Sequence, residues 1–246
     1  MTLNMRYLAI VFCLALVPLA HAAEPDWSDY AALLQAHVSP GEKDGLALNR
    51  VDYEALRESP LLASAVEQVR NFDVARLKTP EETLAFYINA YNVLTLQLIV
   101  ERLPLESIRD IGNFFNGPWD IVMLENAAGD LTLDDIEHRI IRSIPEPRIH
   151  FAVNCASVSC PDLRTEPYTA SKLDEQLDEQ ARLFLSQEGK GLSIEGNTVR
   201  VSKIFGWYDE DFEPAGVKAF VEQYVPAIAD KRVRTNLPYN WRLNGE

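Results

Sequence analysis

Three kinds of residue pattern are scarce or missing in this chain, and each absence narrows what it can do. Cysteine occurs three times in 246 residues. Cys13 falls in the N-terminal apolar run, so any thiol chemistry rests on Cys155 and Cys160. Basic residues are outnumbered, 23 Lys and Arg against 37 Asp and Glu, for a net charge of −14. A field of that sign repels nucleic acid and anionic lipid headgroups, and no Lys/Arg run offsets it locally; nucleic acid is therefore not an expected partner. Long apolar runs are missing after the leader. The best later stretch, Leu84 to Val100, is interrupted by Asn89, Asn92, Thr95 and Gln97, so the mature chain is expected not to span a membrane. Also absent are a Gly-rich phosphate loop, a Ser nucleophile elbow, an H-E-x-x-H helix and a calcium-loop pattern, and no cofactor is expected. There is no internal repeat.

The leader, MTLNMRYLAIVFCLALVPLAHA, has Arg6 as its only charged side chain, an apolar run from Tyr7 to Ala20, and the small-x-small triplet Ala20-His21-Ala22. The run is short for a membrane span and broken by Pro18, so residues 1–22 read as a cleaved secretory signal. Residues 23–246 then form a single globular domain, periplasmic or secreted.

Periodicity predicts helices over Trp27–Val38 and LLASAVEQVRN, separated by PGEKDG as a polar loop. The strongest helix signal is TPEETLAFYINAYNVLTLQLIVERL, with Thr79 as N-cap, Pro80 at the first position and Glu82 completing a capping box. It is apolar almost all round, which implies burial at the centre of the domain. Asn89 and Asn92 share one face of it, and either tie down neighbouring loops or line a polar site. PWDIVMLENAAGDLTL reads as a hairpin, and TLDDIEHRIIRS as a helix capped by Thr132. RIHFAVN alternates and is expected to be a short strand delivering Cys155 at its end. TASKLDEQLDEQARLFL is an amphipathic helix, LSIEGNTVRVSKIF a second hairpin, and a last helix runs from Pro214 to Ala229. The expected class is α+β: several helices, one of them buried and central, packed on a small, mostly antiparallel sheet.

IHFAVNCASVSCPDL concentrates the chemistry. In an oxidising compartment Cys155 and Cys160 can close a disulfide. Alternatively Cys155 is a nucleophile, with His150 or His138 as base and Glu137, Asp209 or Asp211 as orienting acid. Asn89 or Asn154 can then donate to an oxyanion or orient the base. The third reading is zinc at H-x4-C-x4-C, but that spacing matches no familiar signature, and no metal is expected. In GWYDEDF, Trp207, Tyr208 and Asp209 form either a binding edge for sugars or cationic groups, or a core corner with its acids in solvent.

Several segments together resemble the domain-of-unknown-function family 547: AFYINAYNVLTL, LTLDDIEHRIIR, RIHFAVNCASVSCPDL, EPYTASKLDEQLDEQARLFL, VSKIFGWYDEDF and LPYNWRLN. The resemblance covers the mature chain in order and implies one intact domain. It carries over Asn89, Asn92, Glu137, His138, His150, Cys155 and Cys160 as motif positions. Members of that family occur as secreted bacterial proteins, and some plant members are fused to a glutaredoxin-like module, which points to thiol chemistry. A looser likeness to transglutaminase-like and papain-like cores would put the histidine on a strand and leave the usual nucleophile position on the helix to Asn89.

Two expectations follow. One is a cysteine-dependent hydrolase or acyl transferase acting on peptide or amide bonds. The other is a non-catalytic envelope module with a structural Cys155–Cys160 disulfide. The corresponding partner is a small-molecule or peptide ligand, or an envelope protein.

Overall fold

Residue spacing and capping account for most of the helices in the computed structural model, which describes residues 24–112, 116–126 and 129–246. The leader lies outside the described residues. Helix α1 (Ser28–His37) leads into strands β1 (Val38–Lys43) and β2 (Leu46–Val51). These pair antiparallel through Asp44 and Gly45, both at positive φ (54° and 78°). PGEKDG is thus a hairpin and not the expected loop, because Asp-Gly supplies the left-handed backbone that a two-residue hairpin turn requires. Short α2 (Tyr53–Arg57) and α3 (Pro60–Asn71) follow.

Helix α4 (Pro80–Arg102) begins as the sequence dictates. Thr79 Oγ1 accepts from the Glu82 amide at 3.1 Å, and Glu82 reaches back to the Thr79 amide at 3.1 Å. By length and composition it could cross a membrane, yet 89 % of its most apolar window is buried inside the protein. It is the central helix of the larger apolar cluster, contacted by α2, α3 and the segments around 135–154. A smaller cluster joins Phe151 to Phe184, Phe205, Phe212 and Phe220.

Strands β3 (Val122–Asn126) and β4 (Gly129–Thr132) form the expected hairpin, whose Ala127-Ala128 tip lies outside the described residues. Helix α5 (Leu173–Ser186) buries Leu173, Leu177, Ala181 and Phe184 on one face, as its spacing predicts. β5 (Leu192–Glu195) and β6 (Thr198–Ser202) pair antiparallel, and β7 (Arg232–Leu237) adds parallel to β6. α6 (Ile204–Trp207) and α7 (Gly216–Tyr224) lie between β6 and β7. The protein is therefore α+β, with α4 buried and the strands of the described residues divided among three small sheets.

Two elements differ from expectation where function is concentrated. Residues 135–140 form a π-helix (Asp135–Ile140) running into a 3₁₀ turn (Ile141–Ser143). RIHFAVN contains no strand: Pro147–Phe151 is a 3₁₀ helix, and residues 152–155 run on as irregular chain. Proline at its first position starts that helix, while Glu146 caps it through the Arg148 amide at 3.1 Å. The likeness to cores with a histidine on a strand lapses with it.

Candidate functional site

The buried asparagines of α4 decide how the thiol loop is held. Asn89 donates to the Tyr168 carbonyl at 2.8 Å and accepts from the Tyr168 amide at 2.9 Å. Asn92 does the same one turn on, donating to the Ala152 carbonyl at 3.0 Å and accepting from the Asn154 amide at 2.8 Å. Each side-chain amide thus mimics a strand partner for a loop that has none, satisfying buried backbone groups. Both asparagines tie down loops. Neither lines the cavity described below, so the roles considered for Asn89 at an oxyanion and for Asn92 in binding are replaced by loop anchoring.

Beyond Asn92 the chain turns sharply. Asn154 Oδ1 accepts from the Ala156 amide at 2.9 Å, and Asn154 Nδ2 donates to the Pro161 carbonyl at 2.7 Å. This Asx turn carries Ala156 into the left-handed region, φ 59°. Asn154 is 3 % exposed, lies outside the cavity lining and shapes the loop. The loop's outer side pairs with the C-terminal segment. Val158 N donates to the Arg242 carbonyl at 2.8 Å and Asn244 N to the Ala156 carbonyl at 3.0 Å.

Both cysteines are free thiols, Cys155 partly exposed and Cys160 buried. The expected disulfide is not present: the sulfurs approach to 3.0 Å as a hydrogen-bonded pair. Cys155 Sγ also meets Ser157 Oγ at 3.2 Å and Tyr239 Oη at 3.3 Å. The hydrogen bond from Cys160, then those from Ser157 and Tyr239, outweigh burial and bring the Cys155 thiol down to about 7. Burial, and then the neighbouring Cys155 sulfur, push Cys160 well up, so it stays protonated and donates.

Cys155 opens onto a cavity of about 300 Å³. Its aromatic wall is Tyr91, Trp119, Trp207, Tyr208, Tyr239 and Trp241, and its charged lining is Asp120, Asp134 and Glu137, with His138 and His150. The Trp207, Tyr239 and Trp241 rings pack on one another with centroids 4.6–5.6 Å apart. Asp209 is exposed and, unlike its neighbours Trp207 and Tyr208, lies outside the lining.

The acid and base groups form a second layer. The 3₁₀ helix places His150 with its ring stacked on Tyr208, centroids 4.1 Å apart, and Nε2 2.7 Å from Asp211 Oδ2. Burial depresses the imidazole to about 4 against the opposing pull of Asp211, so near pH 7 it is neutral and Nε2–H donates to the carboxylate. Its Nδ1 is then an acceptor, buried and without a partner. Burial pushes Asp211 up, but Arg142 and His150 together hold it below the usual carboxylate range. Arg142 binds Asp211 in bidentate fashion at 2.6 and 3.0 Å, and also reaches Glu210 at 2.6 Å and His138 Nδ1 at 2.6 Å. Arginine only donates, so His138 Nδ1 accepts. His138 Nε2 lies 3.4 Å from Asp134. Glu137, 6 % exposed, accepts from the Tyr208 hydroxyl at 2.7 Å. The π-helix aims Glu137 and His138 at the cavity, as π-turns often do at functional sites.

The sequence-predicted residues Cys155, His150, His138, Glu137, Trp207 and Tyr208 therefore converge on one cavity. Asp211, one of three acids considered, is the one that orients His150. Neither histidine hydrogen-bonds the Cys155 sulfur. Sequence reasoning did not assign Ser157, Tyr239, Trp241, Trp119 or Arg142 to the site. The signal for two of them was the aromatic pair in LPYNWRLN, far along the chain from Cys155.

This is an α+β domain with a low-pKa thiol facing an aromatic and acidic cavity. Residues 74–185 match the model of the family described as "Protein of unknown function, DUF547". That span holds α4 and the thiol loop, while Trp207, Tyr208, Tyr239 and Trp241 of the cavity wall lie beyond it. Comparison with curated proteins and with solved structures returned no match.

Proposed function

We propose that the protein is a cysteine-dependent hydrolase or acyl transferase acting on peptide or amide bonds, with Cys155 as nucleophile, and that it works in the periplasm or outside the cell. The observation that supports this reading is the partly exposed Cys155 thiol, brought down to about 7 by three hydrogen-bonding neighbours and facing a cavity. The thiol is then ionised near neutral pH to a larger extent than an ordinary cysteine, without a histidine contact.

In this reading the Cys155 thiolate attacks the carbonyl carbon, an S–C bond forms, and the C–N bond breaks as the amine leaves with a proton. Water or a second amine then displaces the thiolate from the thioester. His138 and the Tyr208–Glu137 pair are the cavity groups able to relay the proton. The Asp211–His150 pair has the polarity of an oriented base, with Nδ1 unclaimed.

The test uses reduced full-length protein and p-nitrophenyl acetate as acyl donor, followed by intact mass. Acetylation confined to Cys155, lost in Cys155→Ala and discharged by water or an added amine, is the expected result. Absence of an acetylated species between pH 7 and 8, with Cys155 still alkylable by iodoacetamide, would leave the binding module as the better reading.

A further inference from the structure

The cavity's charge pattern goes beyond the choice of nucleophile. Among the described residues, every formally charged side chain in its lining besides the two histidines is a carboxylate, and no lysine or arginine lines it. Glu137 is the most telling of them. It is 6 % exposed, its hydrogen bond comes from the neutral Tyr208 hydroxyl, and no lysine, arginine or histidine among the described residues forms an ion pair with it. A buried carboxylate is costly to keep without a cation, and a ligand's cation at this position would offset that cost. The buried Nδ1 of His150, a cavity-lining residue, is a further acceptor without a partner among the described residues.

The wall carries the same preference. Indole and phenol faces attract cations through their quadrupole. Two rings of this wall already hold one each, Arg142 over Tyr208 at 5.1 Å and Arg109 over Trp241 at 5.2 Å, although neither arginine lines the cavity. Arg142 is itself neutralised by Asp211 and Glu210. Trp207, 46 % exposed, and the rings packed against it leave apolar surface beside the carboxylates. A cavity of about 300 Å³ suits a small group, the size of one side chain and not of a long polymer segment.

We infer that the cavity recognises an alkylammonium group, held between the Glu137 carboxylate and the Trp207–Tyr239–Trp241 wall. Resting on the acyl-transfer reading, this makes the substrate an amide or ester whose acyl portion carries an ammonium close to the carbonyl that Cys155 attacks. Anionic substrates are repelled by the same carboxylates and by the net charge of the chain.

Choline and its uncharged isostere 3,3-dimethyl-1-butanol separate charge from shape. Three of the protein's four tryptophans line the cavity, so intrinsic fluorescence reports occupancy. Saturable binding of choline is expected, at least roughly tenfold tighter than the isostere and weakening with added salt. Glu137→Gln, which keeps an acceptor for Tyr208, should erase most of that preference while leaving the isostere unaffected. Equal binding of the two probes, or no binding of choline to the wild type, overturns the inference. Acetylation of Cys155 by p-nitrophenyl acetate is followed in parallel. If it proceeds while choline and isostere bind alike, the ligand class fails and the nucleophile stands; if choline binds selectively without acetylation, the nucleophile fails and the ligand class stands.

Discussion

Replacing Cys160 tests the origin of the reactive thiol quantitatively. Its hydrogen bond is the largest influence lowering Cys155, from an ordinary 9.0 to about 7. At pH 7 a thiol titrating at 7 is about half ionised, and one titrating at 9 about one part in a hundred, roughly a fifty-fold loss of thiolate. A more basic thiolate is also the better nucleophile. With a Brønsted slope of about 0.4–0.5, two units return a factor of roughly six to ten. Cys160→Ala should therefore slow alkylation at pH 7 by about five- to tenfold if the whole shift is lost. Ser157 and Tyr239 remain, so the inflection should settle between 7 and 9. Cys160→Ser keeps an O–H donor and should stay near the wild type. The assay is the pseudo-first-order rate of iodoacetamide labelling against pH, read by intact mass on reduced protein whose melting curve shows it folded. A folded Ala variant with the wild-type inflection would refute the assignment of that shift to Cys160.

Asn92→Ala should destabilise the fold by about 2–4 kcal/mol, because the Ala152 carbonyl and Asn154 amide both lose a buried partner; urea unfolding measures it. The same variant should raise the Cys155 inflection, since the loop carrying the thiol is anchored there. His150 makes stability depend on pH. Its folded value of about 4 lies below the unfolded 6.5, so the unfolded chain binds the extra proton in that window. Stability should fall as pH drops from about 6.5 to 4, by up to about 3 kcal/mol, and flatten below. Unfolding midpoints of the wild type and His150→Gln across that range should converge on acidification; parallel curves would contradict it.

The parts of the fold legible in the sequence were those written in local chemistry. Thr79, Pro80 and Glu82 announce the start of α4, and the near-continuous apolar run announces its burial. The alternation in RIHFAVN misled because a period of two over seven residues reports which side chains are buried, not which backbone partner exists. Here the partner is the Asn92 amide, sixty residues upstream in the chain, and no ladder forms. Asp-Gly within PGEKDG was a readable hairpin signal, masked by the proline and second glycine around it. β7 pairs parallel with β6 from across two intervening helices, so nothing local marks it. The same distinction holds in the site. Cys155, His150, His138 and Glu137 fall within one short stretch, whereas Tyr239 and Trp241 reach the thiol only through tertiary packing.

The pairing of residues 240–244 with the thiol loop has a consequence in time. Val158, Ser159 and Asn244 exchange backbone hydrogen bonds across a separation of more than eighty residues, and Gly245 lies beside Val51 from the opposite end of the described chain. Tyr239 belongs to the same strap. During synthesis Cys155 emerges long before the segment that closes over it and donates to its sulfur. Until that segment is in place the chain carries a cysteine lacking one of its activating neighbours, Tyr239. Completing the cavity therefore depends on contacts between residues more than eighty positions apart, the kind of pairing whose loop-closure entropy has to be met before it is rewarded.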